Sequence, residues 1–201
     1  MKKPLRDIVK PTIVLFLISA IVTMALALTN YATKEAIAQQ TKIQEESARK
    51  EVFPEAETFE EIENINSILG TTDAEKLVKE VFSCLKNGEV IGRVYLVESN
   101  GYGGVISMSV GIDNSGKING VKIISLSETP GLGSKVQEEP FISQFIGIEP
   151  KEPLTVVKSG GSKAEEIDAV SGATISSKAV VKGIQAAIDT DFKIREKGGD
   201  F

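Results

Sequence analysis

The sequence predicts an α+β fold, a mainly antiparallel sheet with flanking helices, preceded by one N-terminal transmembrane helix. Three observations carry this. An uncharged apolar run fills residues 12–29. Alternating apolar and polar residues, broken by turn signals, fill 78–126. A helical period of apolar residues occupies 175–188.

The first ten residues set Lys2, Lys3, Arg6 and Lys10 against only Asp7. After Pro11 no charge follows until Lys34. Such a run, about 20 residues, suffices to cross roughly 30 Å of hydrocarbon as a helix. Ser19 and Thr23 can return their hydroxyls to the preceding turn. A cationic tip stays in the cytoplasm, which puts the chain after Tyr31 on the outer face. Ala25-Leu26-Ala27 also fits the cleavage site of a secretory signal. Against cleavage, the apolar run is long for a signal core and continues into Ala32, Ala36, Ile37 and Gln40 at helical spacing. On either reading the following domain is exported.

Residues 32–52 are rich in Ala, Gln, Lys and Glu and hold no Gly or Pro, the pattern of a helix leaving the bilayer that Pro54 ends. Residues 54–70 are acidic and read as a solvated helix, with Phe53, Phe59, Ile62, Ile65, Ile68 and Leu69 as its packing face. Strands follow. Residues 78–85 and 89–97 flank Lys86-Asn87-Gly88, a strong hairpin signal. Residues 105–112 alternate, with Ile106, Met108, Val110 and Ile112 on one face and Ser107 and Ser109 on the other. Asp113-Asn114-Ser115-Gly116 turns the chain into a β-rich run at 117–126. Residues 141–146 read as helical and 154–157 as a short strand. The last helix is predicted over 175–188, with Val180, Ile184, Ala187 and Ile188 buried. The expected organisation is a cytoplasmic tip (1–10), a transmembrane helix (11–31), a helical connector (32–74), a sheet domain (75–190) and a C-terminal tail (191–201).

Composition excludes several classes of function. The net charge is −5, from 23 basic and 28 acidic residues, and no block forms a nucleic-acid footprint. There is one cysteine, Cys84, and no histidine. No disulfide can form within the chain, a zinc or iron–sulfur site lacks soft ligands, and no metal site is expected. The usual histidine base of hydrolases is also missing. Any redox work must therefore be done by an organic cofactor. Cys84 lies in an expected strand and reads as a small core residue.

The informative stretch is Asp168-Ala169-Val170-Ser171-Gly172-Ala173-Thr174-Ile175-Ser176-Ser177. It is a turn of small residues ahead of an amphipathic helix. Gly172 and Ala173 allow close approach, and a helix start directs free N–H groups outward, which suits a phosphate. The same residues also suit a plain helix N-cap. A second small-residue segment, Ser127-Glu128-Thr129-Pro130-Gly131-Leu132-Gly133, makes a preset turn after a strand. Its polar start and apolar Leu132 suit the edge and face of a flat ring; it also suits an ordinary strand-to-helix connection. A third glycine cluster, Gly101-Tyr102-Gly103-Gly104, could pack near both segments, and reads more simply as a hairpin loop.

The stretch from Asp168 to Ser176 resembles the flavinylation motif of the FMN-binding domain family, Asp-x-x-Ser/Thr-Gly-Ala-Thr-x-Ser/Thr, with every fixed position filled. The segment from Glu128 to Gly133 is similar to that family's second signature. The resemblance covers about 75–190 and implies a flavoprotein with covalent FMN. Thr174 would be esterified by the FMN phosphate, and Asp168, Ser171, Gly172 and Ala173 would serve recognition. Glu128, Thr129 and Leu132 would line the isoalloxazine pocket. It also implies a separate magnesium-dependent flavin transferase using FAD. Within the family, a chain of this length with one short anchor resembles the G subunits of Rnf-type complexes. These move electrons between ferredoxin and NAD while pumping sodium ions or protons. The C subunits of sodium-pumping NADH:quinone reductases share both signatures, and the sequence does not separate the two. The implied role is a redox subunit of a translocase, an electron relay not catalytic alone. It would sit among other membrane subunits in the bacterial inner membrane as a single-pass protein. Lys135 is a further residue that would favour reduced flavin, or a plain surface lysine. The rival classes are an exported, non-redox binding module and a stand-alone FMN-dependent reductase.

Overall fold

A left-handed turn at Asn87 and Gly88, with φ of 53° and 81°, folds two long strands against each other as their residue types predict. The computed structural model describes residues 5–62 and 75–197. Among these, β1 (Thr58–Glu61), β2 (Val78–Lys86), β3 (Glu89–Asn100), β4 (Val105–Asp113) and β5 (Ile118–Ser125) form one sheet in that order. Every neighbouring pair is antiparallel. A parallel pair, β6 (Thr155–Val157) and β7 (Glu166–Asp168), stands apart from it. The helices are α1 (Leu5–Val52), α2 (Glu139–Ile142) and α3 (Thr174–Glu196), with 3-10 turns at Glu75–Leu77, Gly133–Gln137 and Ser143–Phe145. The α+β class and the mainly antiparallel sheet are as the sequence predicts.

Three elements differ from expectation. Residues 58–61 form an edge strand rather than part of an acidic helix, because Phe59 packs beside Cys84 while Glu60 and Glu61 stay exposed. β7 is too short to show a period in sequence. The last helix runs on to Glu196, since Asp191 and Ile194 are buried beyond the expected end at Ile188. Lys2, Lys3, Ile65, Ile68 and Leu69, and the tail from residue 198, lie outside the described residues.

The chain forms two units, Met1–Ile43 and Gln44–Phe201. In the first, Leu15, Phe16, Ile21 and Met24 are each 66–70% exposed on α1. The helix reaches a mean hydropathy of 2.5 and is long and apolar enough to cross a membrane.

In the second unit α3 lies across β3 and β4, and Gly183 admits Met108 and Val97 against the helix backbone. Tyr95, Ile106, Met108, Ile112 and Ile184 are fully buried between these layers; burial of each apolar side chain contributes about 1.5–3 kcal/mol. Toward the end of α3, Asp191 ties the helix to the sheet. It accepts a 2.7 Å hydrogen bond from the Tyr95 hydroxyl and stands 2.7 Å from Arg195 Nε and 3.5 Å from Arg93 Nη1. Burial, then the neighbouring Asp191 charge, holds the Tyr95 phenol well above its usual range.

The opposite sheet face is occupied by the end of α1 and Phe53. Gly92, Gly111 and Gly120 lie on three adjacent strands and leave a trough. A Cβ on Gly92 would stand 2.6 Å from the Phe53 ring, and one on Gly120 2.7 Å from Val52 Cα. The Asn119 amide donates to the Val52 carbonyl at 2.8 Å, Lys122 pairs with Glu51 at 2.7 Å, and the Arg49 guanidinium sits 4.1 Å over the Phe82 ring. Cys84 is buried beside Val52 and Phe53, as its strand position suggests. Burial pushes its thiol up to about 12, against the lowering effect of Arg93.

Gly120→Val should lower stability by about 1–3 kcal/mol, because the obstructing atoms are backbone of Val52 that cannot rotate away. An unchanged urea midpoint for the full-length chain would contradict this. At pH 8, native Cys84 should react with a thiol reagent slower by at least about two orders of magnitude than in the urea-unfolded chain, as followed by mass.

Candidate functional site

Two turns of the same design face each other at the start of α3. In the first, the Leu132 N–H donates to the Thr129 carbonyl at 3.2 Å around Pro130 and Gly131, the latter at φ 75°. In the second, the Ala173 N–H donates to the Val170 carbonyl at 2.9 Å around Ser171 and Gly172, the latter at φ 78°. A glycine with positive φ at the third position is the signature of a type II turn. A Cβ on Gly172 would come within 3.2 Å of Leu132 Cδ2, so the turns are in close approach.

A third segment, the β3–β4 loop, closes the arrangement. Gly101 donates to the Gly104 carbonyl at 2.8 Å, which makes it the hairpin loop the sequence predicts. The Gly103 N–H also donates to Glu128 Oε1 at 3.1 Å, and the Ser176 hydroxyl donates to Glu128 Oε2 at 2.6 Å. Glu128 is 6% exposed and Ser176 2%, so this carboxylate is buried with a donor on each oxygen. Gly133 makes room for it, because a Cβ there would stand 2.6 Å from Oε2.

Between these segments lies a cavity of about 430 Å³. Glu128, Thr129, Leu132, Gly172, Ala173 and Thr174 all line it, so six of the eight expected site residues are brought together. Asp168 and Ser171 are not among the lining residues. Ser171 is exposed, and Asp168 Oδ1 accepts a hydrogen bond from the Gly161 N–H at 3.1 Å. Asp168 borders a neighbouring cavity of about 270 Å³ together with Lys135. Gly133, Ile175 and Ser176 complete the main cavity without having been singled out for it, together with Tyr102, whose loop does pack near both segments. Ser176 occupies the last fixed position of the motif, which is a signal of its role. Tyr102 carried none beyond its glycine neighbours.

The helix start is open to an anion. The N-cap of α3 is Ala173, which makes no side-chain hydrogen bond, so the plain capping role that Ser171 to Thr174 also suited is not realised. The first turn of this 23-residue helix thus starts without a side-chain cap, and its residues Thr174, Ile175 and Ser176 line the cavity. Thr174, exposed, stands at this point. An uncapped helix start for a phosphate, an apolar wall at Leu132 and Ile175, and a buried polar edge at Glu128 together fit a flavin nucleotide.

Comparison with known proteins agrees. Residues 101–189 match the FMN-binding domain family, and residues 1–52 match the RnfG N-terminal region. Fold, cavity and match define an FMN-binding domain preceded by a long apolar helix. The G subunit of the Na(+)-translocating ferredoxin:NAD(+) oxidoreductase complex of Acetobacterium woodii is 40% identical over 185 residues, covering 88% of this chain and 87% of that one. The G subunit of an ion-translocating oxidoreductase complex of Methanosarcina acetivorans is 33% identical, covering 92% and 94%. The chain belongs to this family of G subunits of Rnf-type ion-translocating oxidoreductase complexes. The crystal structure of NqrC from Shewanella oneidensis shares the fold, with a TM-score of 0.52 over 64% of this chain and 67% of that one at 23% identity.

Ser176→Ala leaves a buried carboxylate oxygen without its donor. It should lower stability by about 1–3 kcal/mol in chemical denaturation, with Ser176→Thr retaining most of the difference.

Proposed function

We propose that Thr174 carries FMN through a phosphoester and that the chain is a membrane-anchored electron-transfer subunit of an Rnf-type complex. That complex would couple ferredoxin–NAD electron transfer to translocation of sodium ions or protons. The observation that carries this is the Thr174 hydroxyl at the uncapped start of α3, on the wall of the cavity that joins both signature segments.

Attachment uses FAD and a separate magnesium-dependent flavin transferase. The Thr174 oxygen bonds to the flavin-side phosphorus, the bond from that phosphorus to the AMP oxygen breaks, AMP leaves, and the hydroxyl proton passes to a base. Among the residues lining the cavity the carboxylate is Glu128, whose two oxygens already accept hydrogen bonds, so the base belongs to the transferase. The phosphodiester retains one negative charge, and the helix start offsets it by on the order of 0.3–1 kcal/mol. Asp168 and Ser171, off the cavity wall, would serve recognition by holding the turn or meeting the transferase.

FMN, when bound, accepts and releases electrons. The chain's own residues fix where this happens. Glu128 presents a buried polar edge, Leu132 and Ile175 an apolar wall, and the main-chain turns limit the space. Leu132, Ile175 and Tyr102 are 48%, 54% and 72% exposed, which leaves the rim open to the cofactors of neighbouring membrane subunits. The apolar stretch of α1 anchors the chain, with the basic tip cytoplasmic and the flavin domain outside. A covalent link there keeps the cofactor from being lost by dilution.

The test is intact mass and in-gel fluorescence of the full-length chain and of Thr174→Val, each expressed with a flavin transferase. Wild type should gain one FMN less water and fluoresce after denaturation, and the variant should gain nothing. Label retained on the variant, or a colourless protein from native membranes, overturns the proposal; the latter leaves a non-redox binding module.

A further inference from the structure

We propose that Gln144 is a positioning residue for flavin attachment, holding the turn that presents Thr174. This rests on the covalent reading above. Residues 168–173 lead from β7 into α3 and end at the acceptor hydroxyl, so their placement sets its placement. Downstream, the turn is held by its own helix: the Val170 N–H donates to Ser177 Oγ at 3.0 Å, and that hydroxyl donates to the Ala173 carbonyl at 3.0 Å. Upstream, it is held from elsewhere. The Asp168 N–H donates to Gln144 Oε1 at 2.7 Å, and Gln144 Nε2 donates to the Asp168 carbonyl at 3.2 Å.

One side-chain amide thus satisfies both main-chain groups of a strand residue, as a neighbouring strand would. Gln144 is well placed to do so. It sits in the 3-10 turn between Phe141 and Phe145, both buried and packed edge to face at 5.4 Å. The clamp therefore connects the flavin-acceptor turn to the hydrophobic core. The motif's Asp168 contributes its backbone to the clamp and its carboxyl to the Gly161 N–H.

Group transfer is sensitive to such placement, and a displacement of about 1 Å can cost on the order of 100-fold in rate. Gln144→Ala removes both hydrogen bonds at a partly exposed site while leaving Phe141 and Phe145 in place. Gln144→Glu is more diagnostic. Its protonated carboxyl offers one donor and one acceptor, as the amide does, whereas its ionised form offers only acceptors to the Asp168 carbonyl.

The experiment follows flavin incorporation into the full-length chain in detergent, with FAD, magnesium ions and a flavin transferase, by intact mass against time, alongside thermal melts. Gln144→Ala should reduce kcat for transfer at least about tenfold with little change in KM for the chain or in Tm. The rate of Gln144→Glu relative to wild type at the same pH should rise as pH falls from 8 to 5. A wild-type rate for Gln144→Ala overturns the proposal. So does a loss confined to KM, which would mark a transferase contact instead. If Gln144→Ala fails to fold, the pH profile of Gln144→Glu decides, and a flat ratio overturns the proposal. Absence of label on wild type would instead defeat the covalent reading itself.

Discussion

Two hydrogen bonds to the Glu128 carboxylate, from the Gly103 amide and the Ser176 hydroxyl, hold together three segments of the chain. The donors lie 25 and 48 residues away in sequence. A buried carboxylate without partners costs several kcal/mol, so the loops have a strong reason to close in this one arrangement. The cavity is what remains between them once the carboxylate is satisfied. Its walls are therefore set by a polar constraint inside, while the apolar residues at its rim stay free to meet a ligand or a neighbouring protein.

The rest of the domain makes that arrangement rigid. The sheet is long in β3 and β4, and α3 lies across both with Gly183 against Met108. Asp191 fixes the far part of the helix through Tyr95, Arg93 and Arg195. A helix pinned along its length and at its far part has a well-defined first turn. Thr174 gains its position from that, although it is itself exposed. A hydroxyl at the end of a rigid element, reached from outside, combines accurate placement with access.

Much of this was legible in sequence where a local rule forces a local shape. Asn87-Gly88 announces its turn because few residue pairs accept two left-handed conformations. Pro130-Gly131 and Ser171-Gly172 announce theirs because a type II turn needs one left-handed residue at its third position, which glycine supplies. The alternation from Ile106 to Ile112 marks the sheet's inner face. What was hidden depends on partners distant in sequence. Thr58–Glu61 reads as a solvated helix because its glutamates say only that one side is wet, and its strand character comes from pairing with β2. The role of Ser176 requires Glu128, and Gln144 has no motif of its own. Asp168 stood in the motif, yet its side chain turns toward Gly161. Tyr102 reached the cavity wall through a glycine loop that could be read either as packing near both segments or as a bare hairpin, and the Gly103 contact with Glu128 makes it both.

The trough across Gly92, Gly111 and Gly120 bears on how the flavin domain can be isolated. Its floor is bare backbone shaped around Val52 and Phe53. A soluble fragment cut at Pro54 would leave this floor facing water, with the Asn119 amide missing its acceptor. A fragment that begins near Gln44 keeps the plug in place while shedding the apolar stretch before it. In this protein the useful boundary for a soluble domain falls inside a helix, where the eye would ordinarily avoid cutting.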